Sequence, residues 1–298
     1  MIETSELTKR YGQNIMAVNG LSMKVKRGEV YGFVGPNGSG KTTTLRMLLG
    51  LVRPTSGSCE VLGRKPGNPE VLARLGALVE TPAFYPYLSG RDNLKVMAEH
   101  AGTGYGRIEP ALAEVELTKR AGDRFKTYSL GMKQRLGMAA SLLKDPELLI
   151  LDEPTNGLDP AGMAEMRHLI RELGRGNRTV LLSSHLMGEL EQICDRVGVV
   201  KDGRIVTEGT LGDLRSGERL KLRADPVGKA QELLGTLSGI GRVETMDGNL
   251  LMIETDPSRA AEINRYLVDA GIEVSELCTV QLSLESVFLS LTGEGVSQ

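Results

Sequence analysis

At 298 residues the chain is long enough for one large domain or two modest ones with real cores. Its composition is that of a globular protein, 40% hydrophobic and 25% charged, and a net charge of −2 gives no electrostatic argument for a nucleic-acid partner. No apolar run approaches the roughly 18 residues of a membrane span, the N-terminus is acidic rather than leader-like, and the three scattered cysteines make neither a disulfide framework nor a zinc site. A soluble, cytosolic chain is the expectation.

Near the N-terminus Leu21, Met23 and Val25 alternate with Ser22, Lys24 and Lys26, the period of a half-buried strand. Tyr11 lies upstream beside a turn. Its ring reads either as a sheet-edge residue or as a platform for a nucleotide base, a contact worth on the order of 1–3 kcal/mol. Residues 29–34 read as a strand, residues 35–42 as the glycine-rich loop GPNGSGKT, and the segment to about Leu51 as a helix presenting Leu45, Leu48 and Leu49. Strand, glycine-rich loop and helix in that order make a phosphate cradle. The glycines let the backbone curl its N–H groups inward, and the helix N-terminus adds a positive dipole end. Gly35, Pro36, Asn37, Gly38, Ser39, Gly40, Lys41, Thr42 and Thr43 are therefore the candidate nucleotide-binding residues. Lys41 would reach the outer phosphates, and the Thr42 hydroxyl would hold a magnesium ion.

Beyond the loop, a short hairpin is expected at residues 57–62, a weak helix at 70–75 and an apolar strand at 75–79 ending on Glu80. Phe84, Tyr85 and Tyr87 cluster just after it, in a chain with only four Phe, seven Tyr and no Trp. Residues 89–144 read as mostly helical, and Ser129 is a candidate cap for a helix running to Leu143. Residues 147–152 and 179–185 are apolar runs of the kind buried on both faces of a parallel sheet. A helix with Leu186, Leu190, Ile193 and Val197 on one face follows, and Asp202-Gly203 centres a hairpin over 197–208. Alternating strands and helices imply an α/β core.

The character changes near residues 216–217. Beyond them the spacing predicts a βαββαβ series, with Ser258 as a helix cap, a turn at 247–249 and a last helix over 284–291. That order matches the ferredoxin-like arrangement. Two domains are expected, 1–217 and 218–298.

Two acids close the first buried strand. Asp152 at such a tip can hold the magnesium ion shared with Thr42, and Glu153 can polarise an attacking water, help worth ~10²–10⁴ in rate. His185 ends the next strand, within reach of a terminal phosphate as a hydrogen-bond donor. Ser129, at an exposed helix N-terminus, makes a second anion site.

Tyr11, GPNGSGKT, YSLGMKQR (128–135), LLILDEPTNGLD (148–159) and SSH (183–185) occur in the order and spacing of the ATP-binding-cassette ATPases, and the resemblance covers residues 1 to about 217. It implies a P-loop nucleoside-triphosphate hydrolase cassette with a parallel core, an antiparallel β edge and a helical subdomain, followed by a small α+β domain. It also implies ATP and Mg2+ as ligands, Tyr11 stacked on adenine, Asp152 on the ion, Glu153 as catalytic base and His185 as switch histidine. Ser129, Gly131 and Asp159 then serve ATP held by a second copy of the chain, in a head-to-tail dimer.

Two departures narrow the resemblance. The usual LSGGQ reads Ser129-Leu-Gly-Met-Lys here, and Glu80 stands where a metal-sensing Gln is usual, which leaves its contact with the ion direct or through water. Both variants, like the C-terminal LESVFLSLTG, resemble the branch that exports antibiotics, peptides or sodium. The implied partner is a separate multi-span membrane permease docked near Phe84, Tyr85 and Tyr87, which would hold the chain on the inner face of the cell membrane. An importer subunit, or a soluble cassette ATPase of DNA repair or translation, are the alternatives. One cassette, no sustained heptads and no basic stretch weigh against the latter.

Overall fold

The computed structural model describes residues 1–79, 83–176, 178–215, 219–246 and 248–280. The chain divides into two units, Met1–Leu211 and Gly212–Gln298, a division six residues ahead of the junction expected after residue 217. The first unit opens with β1 (Ile2–Tyr11), β2 (Ile15–Val25), β3 (Val30–Val34), α1 (Lys41–Leu48), β4 (Ser56–Val61), α2 (Pro69–Ala73) and β5 (Leu75–Leu78). A helical stretch follows, α3 (Gly90–Ala101), α4 (Ile108–Glu114) and α5 (Leu130–Leu142). Then come β6 (Leu148–Asp152), α6 (Pro160–Gly174), β7 (Thr179–Ser184), α7 (Met187–Leu190), β8 (Arg196–Lys201) and β9 (Arg204–Thr210), and α8 (Leu211–Arg215) begins at the division and runs into the second unit.

The central sheet has the order β5-β6-β7-β3-β8-β9, parallel except for β9. Every residue of β3, β6 and β7 is buried, as expected of strands covered on both faces. A smaller antiparallel sheet, β2-β1-β4, shares one core with it, in which Leu7, Leu21 and Val25 meet Phe33, Leu45, Leu48, Ile150 and Leu181. Burial of each large side chain contributes about 1.5–3 kcal/mol.

The structure corrects three local expectations in this unit. Residues 57–62 are not a hairpin but the single strand β4 along β1, where Cys59 lies opposite Thr4 and Val61 opposite Ile2, all buried. Helix α1 stops at Leu48 because Gly50 adopts φ 76 and a Schellman pair closes the end, Gly50 N to Met47 O and Leu51 N to Arg46 O. The expected long helix after His185 is the single turn α7. Val197 belongs to β8, where it pairs with Gly32, because the chain must return to the sheet beside β3.

The second unit runs β10 (Arg219–Asp225), α9 (Val227–Thr236), β11 (Val243–Met246), β12 (Leu250–Glu254), α10 (Ala260–Asp269) and β13 (Glu273–Val280). Its sheet order, β11-β12-β10-β13 with antiparallel pairs, is the split βαβ arrangement. Leu220, Leu222, Leu251 and Ile253 from the sheet bury against Leu234, Ile263 and Leu267 from the helices. The cap expected of Ser258 is supplied by Asp256 instead, whose carboxylate accepts from Ser258 N at 2.8 Å in a 3-10 turn ahead of α10. The expected helix over 284–291, the turn residue Asp247 and the candidate ligand Glu80 lie outside the described residues. Among the described residues no helix is long and apolar enough to cross a membrane.

Candidate functional site

Three adjacent strands of the central sheet end level with one another. Val34 of β3 pairs with Ser184 of β7, and Ser183 pairs with Asp152 of β6. Gly35, Asp152, Glu153 and His185, far apart in sequence, therefore emerge at one sheet edge. This is the carboxyl end of the strands, where α/β proteins form ligand sites.

The loop after β3 is held by backbone contacts that only glycine permits. Gly35 N donates to Ser184 O at 3.3 Å, and a Cβ on Gly35 would sit 2.2 Å from Val200 O. Gly40 has φ 99, and its Cβ would sit 2.3 Å from Ala17 O. Helix α1 begins at the next residue without a side-chain cap, leaving its first N–H groups open to an anion. Ser39 Oγ is buried without a hydrogen-bond partner, a cost that a polar ligand can relieve. Lys41 is buried too, and its ammonium donates to Gly35 O at 2.7 Å and Pro36 O at 3.2 Å.

Glu153 adopts φ 47, uncommon for a residue with a side chain. Its backbone N donates to Ser183 O at 3.2 Å and Ser183 Oγ at 3.1 Å, and the same hydroxyl donates to the Asp152 carboxylate. The Glu153 carboxylate accepts from His185 N at 3.3 Å, lies 2.8 Å from His185 Nδ1 and pairs with Lys41 Nζ at 3.4 Å. Asn37, Gly38, Gly40, Lys41, Thr42, Thr43, Glu153 and His185, all expected from the sequence, line one cleft of about 340 Å³ together with Ala17 and Asn156. Gly35, Pro36 and Ser39 shape the loop, and Asp152 ends β6, 9% exposed. Ala17 carries no motif; it falls at a register shift of β2 against β1, between the Val18–Lys9 and Met16–Arg10 pairs.

Ser129, Gly131 and Asp159 are elsewhere. They line a second cleft of about 270 Å³ with Arg135, Leu158 and Glu165, and it shares no lining residue with the first. Ser129 Oγ caps α5 by accepting from Met132 N at 3.3 Å, and Asp159 caps α6 by accepting from Gly162 N at 3.2 Å. One chain thus presents two clefts with no lining residue in common.

The family model for ABC transporter matches residues 18–156. The bacitracin transport ATP-binding protein BcrA of Bacillus licheniformis is 40% identical over 301 residues, spanning 99% of this chain and 98% of that one. This chain belongs to the ABC transporter ATP-binding family. The daunorubicin resistance ATP-binding protein DrrA3 of Streptomyces coeruleorubidus is 38% identical over 96% of this chain and 94% of its own length. Among solved structures, an ATP-binding subunit of an ABC transporter matches at 30% identity and TM-score 0.63, over 72% of this chain and 91% of that one. As an ABC cassette the chain is an ATPase.

Other expected residues occupy distinct places on the cassette. Tyr11 does not line the cleft that holds Lys41 and Glu153; it ends β1 opposite Ile15, is 39% exposed, and has the Lys9 ammonium 5.0 Å from its ring centroid. Phe84 packs edge-on against Phe125 at 5.2 Å, whereas Tyr85 and Tyr87 are exposed and lie 5.8 Å apart.

Proposed function

We propose that this ATPase powers an exporter of antibiotics, drugs, peptides or ions by head-to-tail closure of two copies around ATP. The observation that carries the dimer is the separation of the two clefts. The phosphate loop, Glu153 and His185 line one, Ser129, Gly131 and Asp159 the other, and the two have no residue in common. A second copy in the opposite orientation sets the signature cleft of each chain, the one lined by Ser129, Gly131 and Asp159, against its partner's phosphate cleft, the one lined by Lys41 and Glu153, as a two-fold interface requires. The export reading rests on the relatives named for bacitracin transport and daunorubicin resistance, matched over nearly the whole chain.

In this reading Lys41 and the α1 N-terminus hold the phosphates, Tyr11 stacks on the base, and Glu153 takes the proton of the attacking water. His185 orients the Glu153 carboxylate and the terminal phosphate. Thr42 and Asp152 offer the hard oxygen donors that magnesium prefers. Among the described residues no three His, Cys, Asp or Glu side chains form a metal cage, which suits an ion completed by phosphate and water. Bound there, it would neutralise charge on the transferring phosphoryl group.

A separate permease carries the substrate, with Tyr85 and Tyr87 as contact candidates, and places the cassette on the cytoplasmic face of the membrane. The test is to recover the membrane protein that co-purifies and to measure which compounds stimulate the complex's ATPase. Stimulation by a peptide antibiotic or drug that cells then extrude is expected. Stimulation only through a solute-binding protein would overturn export.

A further inference from the structure

Glu189 is a buried carboxylate, 8% exposed, that the reading above leaves without a task. It lies on α7, four residues after His185. One of its oxygens accepts from Thr155 Oγ1 at 2.7 Å, and the other pairs with Arg167 Nη1 at 3.4 Å. Thr155 is itself 2% exposed and stands two residues after Glu153, where the chain leaves β6 toward Asp159. Arg167 is on α6, the helix that Asp159 caps. A single carboxylate therefore grips both ends of the 153–159 loop, through Thr155 at its start and through α6 at its finish. Asn156 in the middle of that loop lines the phosphate cleft, and Asp159 at its end lines the signature cleft.

We propose that Glu189 is a positioning residue that couples the two clefts, so that the loop carrying Asp159 and the turn following His185 move as one body. The inference rests on the dimer reading. Closure of a partner on Asp159 would then be transmitted through Glu189 to His185, and from there to Glu153, 2.8 Å away. A buried carboxylate with these two partners suits this role, because breaking the Arg167 contact leaves its charge unpaired and breaking the Thr155 contact leaves a buried hydroxyl without its acceptor. Loop and turn therefore resist separate movement. Glu189 touches neither substrate nor reacting atoms in this scheme.

The test uses the full chain in five forms: wild type, Glu189→Gln, Thr155→Val, Thr155→Ser and the Glu189→Gln/Thr155→Val double variant. ATP affinity, kcat, KM and thermal midpoint are measured for each, and ATP-dependent dimer formation is measured with the same changes in a Glu153→Gln background. Glu189→Gln and Thr155→Val are expected to lower kcat about tenfold or more while the ATP dissociation constant stays within about twofold. Thr155→Ser, which keeps the hydroxyl, should restore kcat to near wild type. Combining Glu189→Gln with Thr155→Val should cost little more than either alone. The Glu153→Gln dimer should weaken when Glu189→Gln or Thr155→Val is added and not when Thr155→Ser is. Unchanged kcat in both Glu189→Gln and Thr155→Val overturns the proposal. So does a loss of kcat that only parallels a fall in thermal midpoint and is not rescued by Thr155→Ser. If Glu153→Gln alone forms no dimer with ATP, the dimer reading itself has failed; if it dimerises equally well with and without the Glu189 change, only the coupling proposal has.

Discussion

Lys41 Nζ lies 3.4 Å from Glu153 Oε1, so the phosphate-loop lysine and the acid at the tip of β6 form an ion pair inside the same cleft. The lysine is also bonded to the carbonyls of Gly35 and Pro36, which points its ammonium along its own loop. In the mechanism proposed above, an ATP phosphate entering the cleft competes for that ammonium and so frees the Glu153 carboxylate to accept a proton.

Lys41→Ala removes the buried cation from this pair. Loss of a preorganised donor on a transferring phosphate typically costs ~10²–10³ in rate. The variant is expected to lose ATPase activity by at least about that factor, measured as phosphate release at saturating ATP. Retained activity would show that the phosphate sits elsewhere.

Glu153→Gln keeps the side-chain size and the backbone bonds to Ser183 but removes the base. Turnover should fall by ~10²–10⁴ while ATP affinity changes little, and the chain should elute as a dimer with ATP. The expected signature is a kcat effect without a binding effect; near-normal kcat would rule Glu153 out as the base.

Mixing two inactive variants tests the head-to-tail geometry directly. A dimer of one Lys41→Ala chain and one Ser129→Ala chain holds one intact composite site and one doubly damaged site. Since half the dimers are mixed, activity should recover to about a quarter of wild type. No recovery on mixing argues that each site lies within one chain.

Gly35→Ala brings a methyl group 2.2 Å from Val200 O, a backbone atom that cannot swing aside. Strain of this kind costs about 1–3 kcal/mol, and the thermal midpoint should fall by several degrees. Nucleotide binding should weaken in step, because the same glycine shapes the cradle.

Phe84 and Tyr85 separate fold from docking. Phe84→Ala loses an aromatic pair with Phe125 and should destabilise the protein by about 1 kcal/mol. The Tyr85 ring is exposed, while its backbone N–H bonds to Asn93 Oδ1 whatever the side chain, so Tyr85→Ala should leave stability within ~0.5 kcal/mol. Weaker recovery of the membrane subunit with Tyr85→Ala, at unchanged ATP affinity, is the expected result. Equal recovery would place the permease contact elsewhere.

Much of the cleft was legible in the sequence because its chemistry is local. The cradle of residues 35–42, the acids closing β6 and the histidine closing β7 each follow from a few consecutive residues whose backbone geometry depends on their neighbours. Apolar runs at 148–151 and 179–182 announced strands buried on both faces. The βαββαβ series of the second unit was readable for the same reason, by periodicity and turn signals.

Pairing across long sequence distances left no such trace. That residues 56–61 lie along β1 rather than fold on themselves depends on a strand that lies about 50 positions earlier in the chain, and α7 ends early because β3 claims Val197. The sequence by itself determined which groups can bind a phosphate, hold a metal and move a proton, since those are properties of residue types at short spacing. Only the tertiary structure decided that β3, β7 and β6 stand side by side, so that Lys41, His185 and Glu153 share a cleft that Ser129 and Asp159 do not enter. Strand order and cleft separation are set by burial summed over the whole core, and no short segment carries that sum.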